Sequence, residues 1–335
     1  MMRQAVVVGA GGISGAWLPM LGEEGVEVAA LVDLDEARAR TQAARYRLDP
    51  LITTDLRRAI RRIRPDFVVD LTVPAAHSAV TCTALRLGCH VIGEKPMAAS
   101  MAAARRMVRT AEETGRIYMV SQSRRYHAPH AGLARALAGG AVGRLTALNC
   151  AFYIGAHFGG FRDQMAHPLI LDMAIHHFDL ARLFSGADPR AVYAASFNPA
   201  GSWYAGDAAA TCVFEMSNGV IFTYTGSWCA EGMHTSWHGD WRVIGERGTV
   251  VYARDQPPAG ERVAGDGGFH RPLEPLAIEP LEVPSGQRGA LREFLAALDG
   301  GPVPQGECHD NIQSLAMVFG AIASARRGRR VTIRV

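Results

Sequence analysis

The first 122 residues alternate between short apolar runs and longer amphipathic stretches. Runs at 5–8, 26–32, 66–71, 90–92 and 117–121 have the length and composition of buried strands. Between them, patterns of helical period occupy 14–24, 36–46, 55–63, 75–87 and 101–114, with Gly88 and Gly115 ending the last two. Alternation of this kind predicts a doubly wound parallel sheet with helices on both faces, and ligands beyond the carboxyl ends of its strands. After Gln122 the pattern changes. A helix at 131–137 is followed by strand-like runs at 146–154, 191–197, 208–216, 220–228 and 241–244, with Ser217-Asn218-Gly219 as a hairpin signal. The expectation is α/β: a nucleotide-binding domain over 1–122 and an α+β domain over 123–335 with a largely antiparallel open sheet. Residues 254–287 hold six prolines and five glycines without apolar periodicity and are expected to form an irregular surface excursion. Helices at 289–298 and 311–326 close the chain.

One apolar stretch, 169–184, is interrupted by Asp172, His176 and Asp179. On a helix, i and i+4 followed by a step of three share a face, and the remaining residues imply burial nearly all round. An unpaired buried polar group costs about 1–3 kcal/mol, so the carboxylate and imidazole need partners. Two readings stay open on these residues alone: a satisfied core pair, or a pair that does chemistry. His177, about 100° away around the helix, is expected to pack or to line a pocket wall.

The N-terminal third supplies something for such a pair to work against. The strand at 5–8 runs into Gly9-Ala10-Gly11-Gly12-Ile13-Ser14 and then a helix, and the strand at 26–32 ends in Asp33. Glycines let a pyrophosphate approach bare backbone at a helix N-terminus, and an acid at the next strand end accepts from ribose hydroxyls. Ser14 stands where the strict motif has its third glycine. Thr72-Val73-Pro74, Glu94-Lys95-Pro96 and Gln122 fall at other strand ends. A carboxylate at Asp33 repels a 2′-phosphate, whereas Arg38 one helical turn away softens that. NAD is expected in preference to NADP.

Composition narrows the partners. With 48% hydrophobic and 20% charged residues and a net charge of +3, the balance suggests neither nucleic-acid nor membrane-surface binding. No signal-peptide layout and no apolar stretch of eighteen appears, so a cytoplasmic location is expected. The six cysteines form no C-x-x-C pair. The arginines of 57–64 lack interleaved aromatics and read as a solvated helix face. His157, His167, His176 and His177 with Asp172 lack regular ligand spacing, and no metal is expected.

These residues resemble the Gfo/Idh/MocA oxidoreductases. The match rests on Gly9-Ala10-Gly11-Gly12-Ile13-Ser14, on Thr72-Val73-Pro74 with His77 close behind, on Cys89-His90-Val91-Ile92-Gly93-Glu94-Lys95-Pro96, and on Asp172-x-x-x-His176-x-x-Asp179. The resemblance implies a Rossmann domain and a catalytic group of Lys95, Asp172 and His176. It also implies hydride transfer between NAD(P) and a hydroxyl-bearing carbon of a sugar, polyol or cyclitol. His176 would be the general base, oriented by Asp172, with Lys95 assisting the proton. Cofactor contacts are expected from Gly9, Gly11, Gly12, Ile13, Ser14, Asp33, Arg38, Thr72, Val73, Pro74, His77, Glu94, Lys95 and Gln122. Tyr126, Tyr153, His157 and Arg162 are candidates for contacts to substrate hydroxyls, with a structural role the alternative for each. The resemblance also implies a homodimer or homotetramer, formed through the C-terminal sheet. The alternative is a regulator on the same fold that senses NAD(P) or a sugar without turnover.

Overall fold

The computed structural model describes residues 2–335, which divide into two compact units. The first runs up to Ser123 and takes back Pro284–Leu315; the second comprises Arg124–Val283 and Ala316–Val335. Assigning 284–315 to the second domain, as the sequence pattern suggests, therefore needs correction. The helix Gln287–Leu298 packs Phe294 edge-on against Phe67, with ring centroids 5.3 Å apart. Its Arg292 donates from Nε to Glu24 at 2.7 Å, and Val120 N donates to Gly306 O at 2.8 Å. Such contacts between residues far apart in sequence leave no periodicity to read.

In the first unit, strands β1 (Arg3–Val8), β2 (Val26–Val32), β3 (Leu51–Thr53), β4 (Phe67–Asp70), β5 (His90–Glu94) and β6 (Tyr118–Ser121) form one parallel sheet. Their order is β3-β2-β1-β4-β5-β6. Helices α1 (Ser14–Glu23), α2 (Glu36–Arg45), α3 (Leu56–Ile63), α4 (Pro74–Arg86) and α5 (Met101–Thr114) cross between the strands. Val6, Val7, Val68, Val69, Val91 and Ile92 are fully buried, as continuous apolar runs covered on both faces must be. Strand order reverses between β1 and β4, and a doubly wound sheet binds ligands in the crevice at such a switch point. The arginines of 57–64 are exposed, as expected of a solvated face.

The second unit opens with α6 (Ala128–Ala138) and β7 (Leu145–Tyr153). A π-helical turn, Leu169–Ala174, then leads into α7 (Ile175–Ser185). Strands β8 (Pro189–Phe197), β9 (Ala209–Met216), β10 (Ile221–Ser227), β11 (Asp240–Gly245), β12 (Gly248–Tyr252), β13 (Ala259–Val263), β14 (Leu273–Ala277) and β15 (Val331–Thr332) complete a nine-stranded sheet, ordered β14-β13-β12-β11-β7-β10-β9-β8-β15. Only the β7–β10 pair is parallel. A row Val192–Phe214–Phe222–Leu148–Val243–Val250 runs across six strands in register and is buried throughout. The stretch 254–287 is not wholly irregular, because it contributes β13 and β14. Both lie at the sheet's margin and are largely exposed, so neither needed an apolar face, and Pro275 is tolerated on an edge strand.

Candidate active site

The glycine turn of the first unit follows from its backbone. Gly9 has φ +100°, and a Cβ there would lie 2.7 Å from Leu71 O, against the exit of β4. Only glycine combines that dihedral with so close an approach. Around Gly11 and Gly12 nothing lies within 4 Å of where a Cβ would project. Ile13, at the cap position of α1, gives no side-chain cap, so the helix starts beside bare backbone. Ser14 is buried and its Oγ donates to Gly11 O at 2.6 Å, bracing the turn where the strict motif uses glycine. Asp33 accepts from Ala10 N at 2.7 Å, so the acid at the end of β2 also holds the turn. Arg38 Nη1 lies 3.9 Å from Asp33 Oδ1, and exposed Leu34 flanks them.

The other strand ends are tied together by buried polar groups. Glu94 accepts from Trp17 Nε1 at 2.8 Å, fastening β5 to α1, and burial raises its pKa above the ordinary carboxylate value. Lys95 follows it, part-buried, with a cis bond to Pro96. His77 is buried between two carbonyls, Pro96 O and Thr72 O, each 2.9 Å from a ring nitrogen. These contacts brace the ends of β4 and β5. Asp70 accepts from Thr72 Oγ1 at 2.6 Å, while Val73 is exposed and Pro74 starts α4. Gln122 is buried.

In the second unit the expected helix is two structures. Leu169–Ala174 is π-helical and only Ile175–Ser185 is α-helical. In a π turn the i→i+5 bonding widens the coil, so Asp172 and His176 remain about one turn apart. Such turns recur at functional sites. Arg162 Nε donates to Asp172 Oδ2 at 2.6 Å, with its guanidinium over Phe158 and Phe161. His176 is buried. His177 sits fully buried among Phe152, Tyr224 and Trp241, and Arg124 Nη1 donates to its Nε2 at 3.1 Å. Burial first, then Arg124, drives its pKa well below the usual imidazole range. Asp179 accepts two bonds from Arg125, at 2.8 and 2.6 Å, both residues being buried.

A family model described as "Oxidoreductase family, NAD-binding Rossmann fold" matches residues 3–122, and the "GFO/IDH/MocA C-terminal domain" matches 130–251. The chain belongs to the GFO/IDH/MocA family. It is an NAD-binding oxidoreductase. It is 27% identical over 321 residues to a D-apiose dehydrogenase of Paraburkholderia graminis, covering 93% of this chain and 84% of that protein. An inositol 2-dehydrogenase of Rubrobacter xylanophilus is 28% identical, with 96% and 90% covered. An Agrobacterium radiobacter oxidoreductase, crystallised with NAD+, L-tartaric acid and magnesium, shares the fold at a TM-score of 0.85 and 22% identity, with 99% and 98% covered.

The residues of this GFO/IDH/MocA enzyme fit a dinucleotide. The clear backbone at Gly11 and Gly12, the uncapped start of α1 and the acid at Asp33 meet the needs of a pyrophosphate and a ribose. The substrate assignments divide. Arg162 pairs with Asp172, as described. Tyr153 ends β7 partly exposed, and His157 stacks on Trp203 at 3.6 Å while its Nε2 lies 2.8 Å from Glu231. Tyr126 is buried in a 3₁₀ turn, Ser123–Tyr126, away from solvent. The sequence reading passed over Arg124, whose Nη2 also reaches Met173 Sδ at 3.5 Å and whose pKa burial lowers to about 10. The doublet Arg124-Arg125 was its only sign. Among the described residues no helix is long and apolar enough to cross a membrane.

Proposed function

We propose that the enzyme transfers hydride reversibly between nicotinamide and a hydroxyl-bearing carbon of a sugar, polyol or cyclitol, with NAD preferred over NADP. The observation that carries this reading is the pair Asp172 and His176, about one turn apart across the junction of the π turn and α7. The names of the similar proteins, a D-apiose dehydrogenase and an inositol 2-dehydrogenase, support the substrate class. When bound, the nicotinamide supplies or accepts the hydride. The chain's own residues hold the dinucleotide and move the proton. The turn Gly9–Ser14 would take the pyrophosphate and Asp33 the adenosine ribose. Oxidising an alcohol also removes its hydroxyl proton, and His176 is the base for it. Asp172, itself held by Arg162, orients the imidazole and stabilises its charged form. Lys95 hydrogen-bonds the reacting oxygen and assists the proton's exit. The enzyme works as a homo-oligomer in the cytoplasm.

The test is a panel of inositols, hexoses, pentoses and sugar acids assayed with NAD and with NADP, followed by reduced-nicotinamide absorbance. Turnover of at least one polyol or sugar, with higher kcat/KM for NAD, is expected. Binding without turnover across the panel would instead favour a sensing regulator. Comparable or better kcat/KM with NADP would overturn the cofactor preference.

A further inference from the structure

No metal is expected at His157, His167, His176 and His177, but three other histidines converge in the second unit. His127 stands at the N-cap position of α6 without a side-chain cap bond, His130 lies in its first turn, and His238 sits in the loop before β11. The i, i+3 spacing of His127 and His130 puts both on one side of the helix start. One ring nitrogen from each of the three lies within 4.8 Å of the others. His127 Nδ1, His130 Nε2 and His238 Nδ1 are buried and, among the described residues, accept or donate no hydrogen bond.

The tautomer of His130 follows from its neighbour. Its Nδ1 lies 2.8 Å from Arg124 O, and a carbonyl can only accept, so Nδ1 carries the proton. In the neutral ring Nε2 is then a bare lone pair on a fully buried side chain, whose ring lies edge-to-face with His127 at 4.7 Å and His238 at 4.9 Å. An outer hydrogen bond that fixes tautomer and orientation is what metal-ligating histidines commonly have. The frame is rigid: a Cβ on Gly132 would fall 2.2 Å from Glu279 O, and Leu281 N donates to Ala128 O at 3.0 Å. His238 is placed by its own N–H, which donates to Ser236 Oγ at 2.9 Å, and Ser236 in turn bonds Asp255. A cavity of about 380 Å³ lined by Met233, His234, Thr235, Ser236, Arg254 and Asp255 opens beside that loop.

We propose that His127, His130 and His238 form a three-histidine site for a zinc-class divalent transition-metal ion. Imidazole nitrogen suits zinc, copper, iron and nickel, whereas calcium and magnesium prefer oxygen donors. Zinc–nitrogen bonds of about 2.0–2.1 Å in a tetrahedron require the nitrogens to close to roughly 3.4 Å. In this conformation the His127 and His238 rings stack at 4.1 Å, so both must turn to converge their lone pairs. Both are only part-buried, so that rotation does not disturb the core. Nearby charges oppose one another. The Asp255 carboxylate favours a cation and the Arg124 guanidinium disfavours one. With three protein ligands the ion keeps a position for water or another donor. It would fasten the loop bearing His238 to the start of α6, independently of the dehydrogenase reading.

The test is metal analysis of the purified full-length chain, stripped with chelator and dialysed against zinc chloride or cobalt(II) chloride. One ion per chain is expected, with the intense visible bands of four-coordinate cobalt and a melting temperature raised by zinc. His130→Gln and His238→Gln should each weaken binding more than about 100-fold, beyond what loss of an outer partner costs. His309→Gln should retain it. That variant removes the competing cluster of Glu307, Cys308 and His309. If His130→Gln does not fold, His238→Gln decides, since its ligand lies on a loop. The proposal is overturned if the wild type holds no ion above buffer level, as when only water bridges the three nitrogens. It is also overturned if both histidine variants keep the ion, or if His309→Gln loses it.

Discussion

At the scale of single residues, the proposed base is His176 and not its neighbour His177. His176 shares a turn with Asp172, and a base in that position is worth about 10²–10⁴-fold in rate. His176→Ala and Lys95→Ala are therefore expected to lower kcat by orders of magnitude while leaving NAD affinity within a few-fold. Near wild-type turnover in both variants, measured in steady state, would sink the assignment. His177 makes a different prediction. Burial, then Arg124, His130 and His238 keep it neutral in the fold, whereas in the unfolded chain it takes up a proton near pH 6.5. A folded pKa below the unfolded one leaves stability intact above pH 6.5 and erodes it as pH falls below that, by up to about 1.4 kcal/mol per pH unit. His177→Gln keeps an acceptor for Arg124 and should flatten the urea-stability profile between pH 7 and 5. An unchanged slope would show that other groups carry it. The separation of these two histidines was legible from helical geometry alone. The partners were not, because Arg124 and Arg162 lie some 10 to 50 positions away and announce themselves by no spacing.

Elements show where the sequence pattern stops informing. The parallel sheet was readable because strands buried on both faces must be apolar throughout, and Gly88 and Gly115 mark helix ends with φ of +86° and +62°. Strand β3 left no sign in the pattern, being only three residues long with one of them polar. The π turn was also invisible, since an apolar stretch with polar residues at 172 and 176 fits either coil. Asp179 changed meaning most: the motif sets it in line with Asp172 and His176, but the structure spends it on a buried bidentate pair with Arg125. That pair ties the 3₁₀ turn Ser123–Tyr126 to α7. Removing one member leaves a buried charge uncompensated, which costs about 3–5 kcal/mol. Asp179→Asn should therefore lower the unfolding free energy by about that amount, read as a lower denaturation midpoint. Replacing both residues with apolar ones of similar volume should recover much of the loss. A midpoint unchanged in Asp179→Asn would mean that the pair contributes nothing to folding.

For the whole molecule, the open face of the nine-stranded sheet decides the expected assembly. The inner rows are buried, but the opposite row Tyr193–Val213–Thr223–Asn149–Arg242–Val251 runs in register toward solvent. Antiparallel sheets can present a polar face to water. This one is not uniformly polar: Tyr193 is 52% and Phe197 54% exposed, and Val213, Ile221 and Val251 are each more than a third exposed. Tyr193, Phe197, Val213 and Ile221 lie on the adjacent strands β8, β9 and β10, with Val251 apart on β12, and neighbouring exposed apolar side chains mark interaction surfaces. A second copy of the same face, related by a twofold axis, would cover Tyr193 and Val213, and a specific interface needs roughly 1,000 Å². Light scattering at micromolar concentration should therefore give a dimer or a larger even assembly. Glutamate at both Tyr193 and Val213 should shift it to monomer, because like charges would meet across the axis. Exposed substitutions of this kind move stability by only about 0.5 kcal/mol, so a monomer that melts like the parent separates lost assembly from lost folding. A wild-type monomer, or an assembly indifferent to both glutamates, would show that this face is simply solvated.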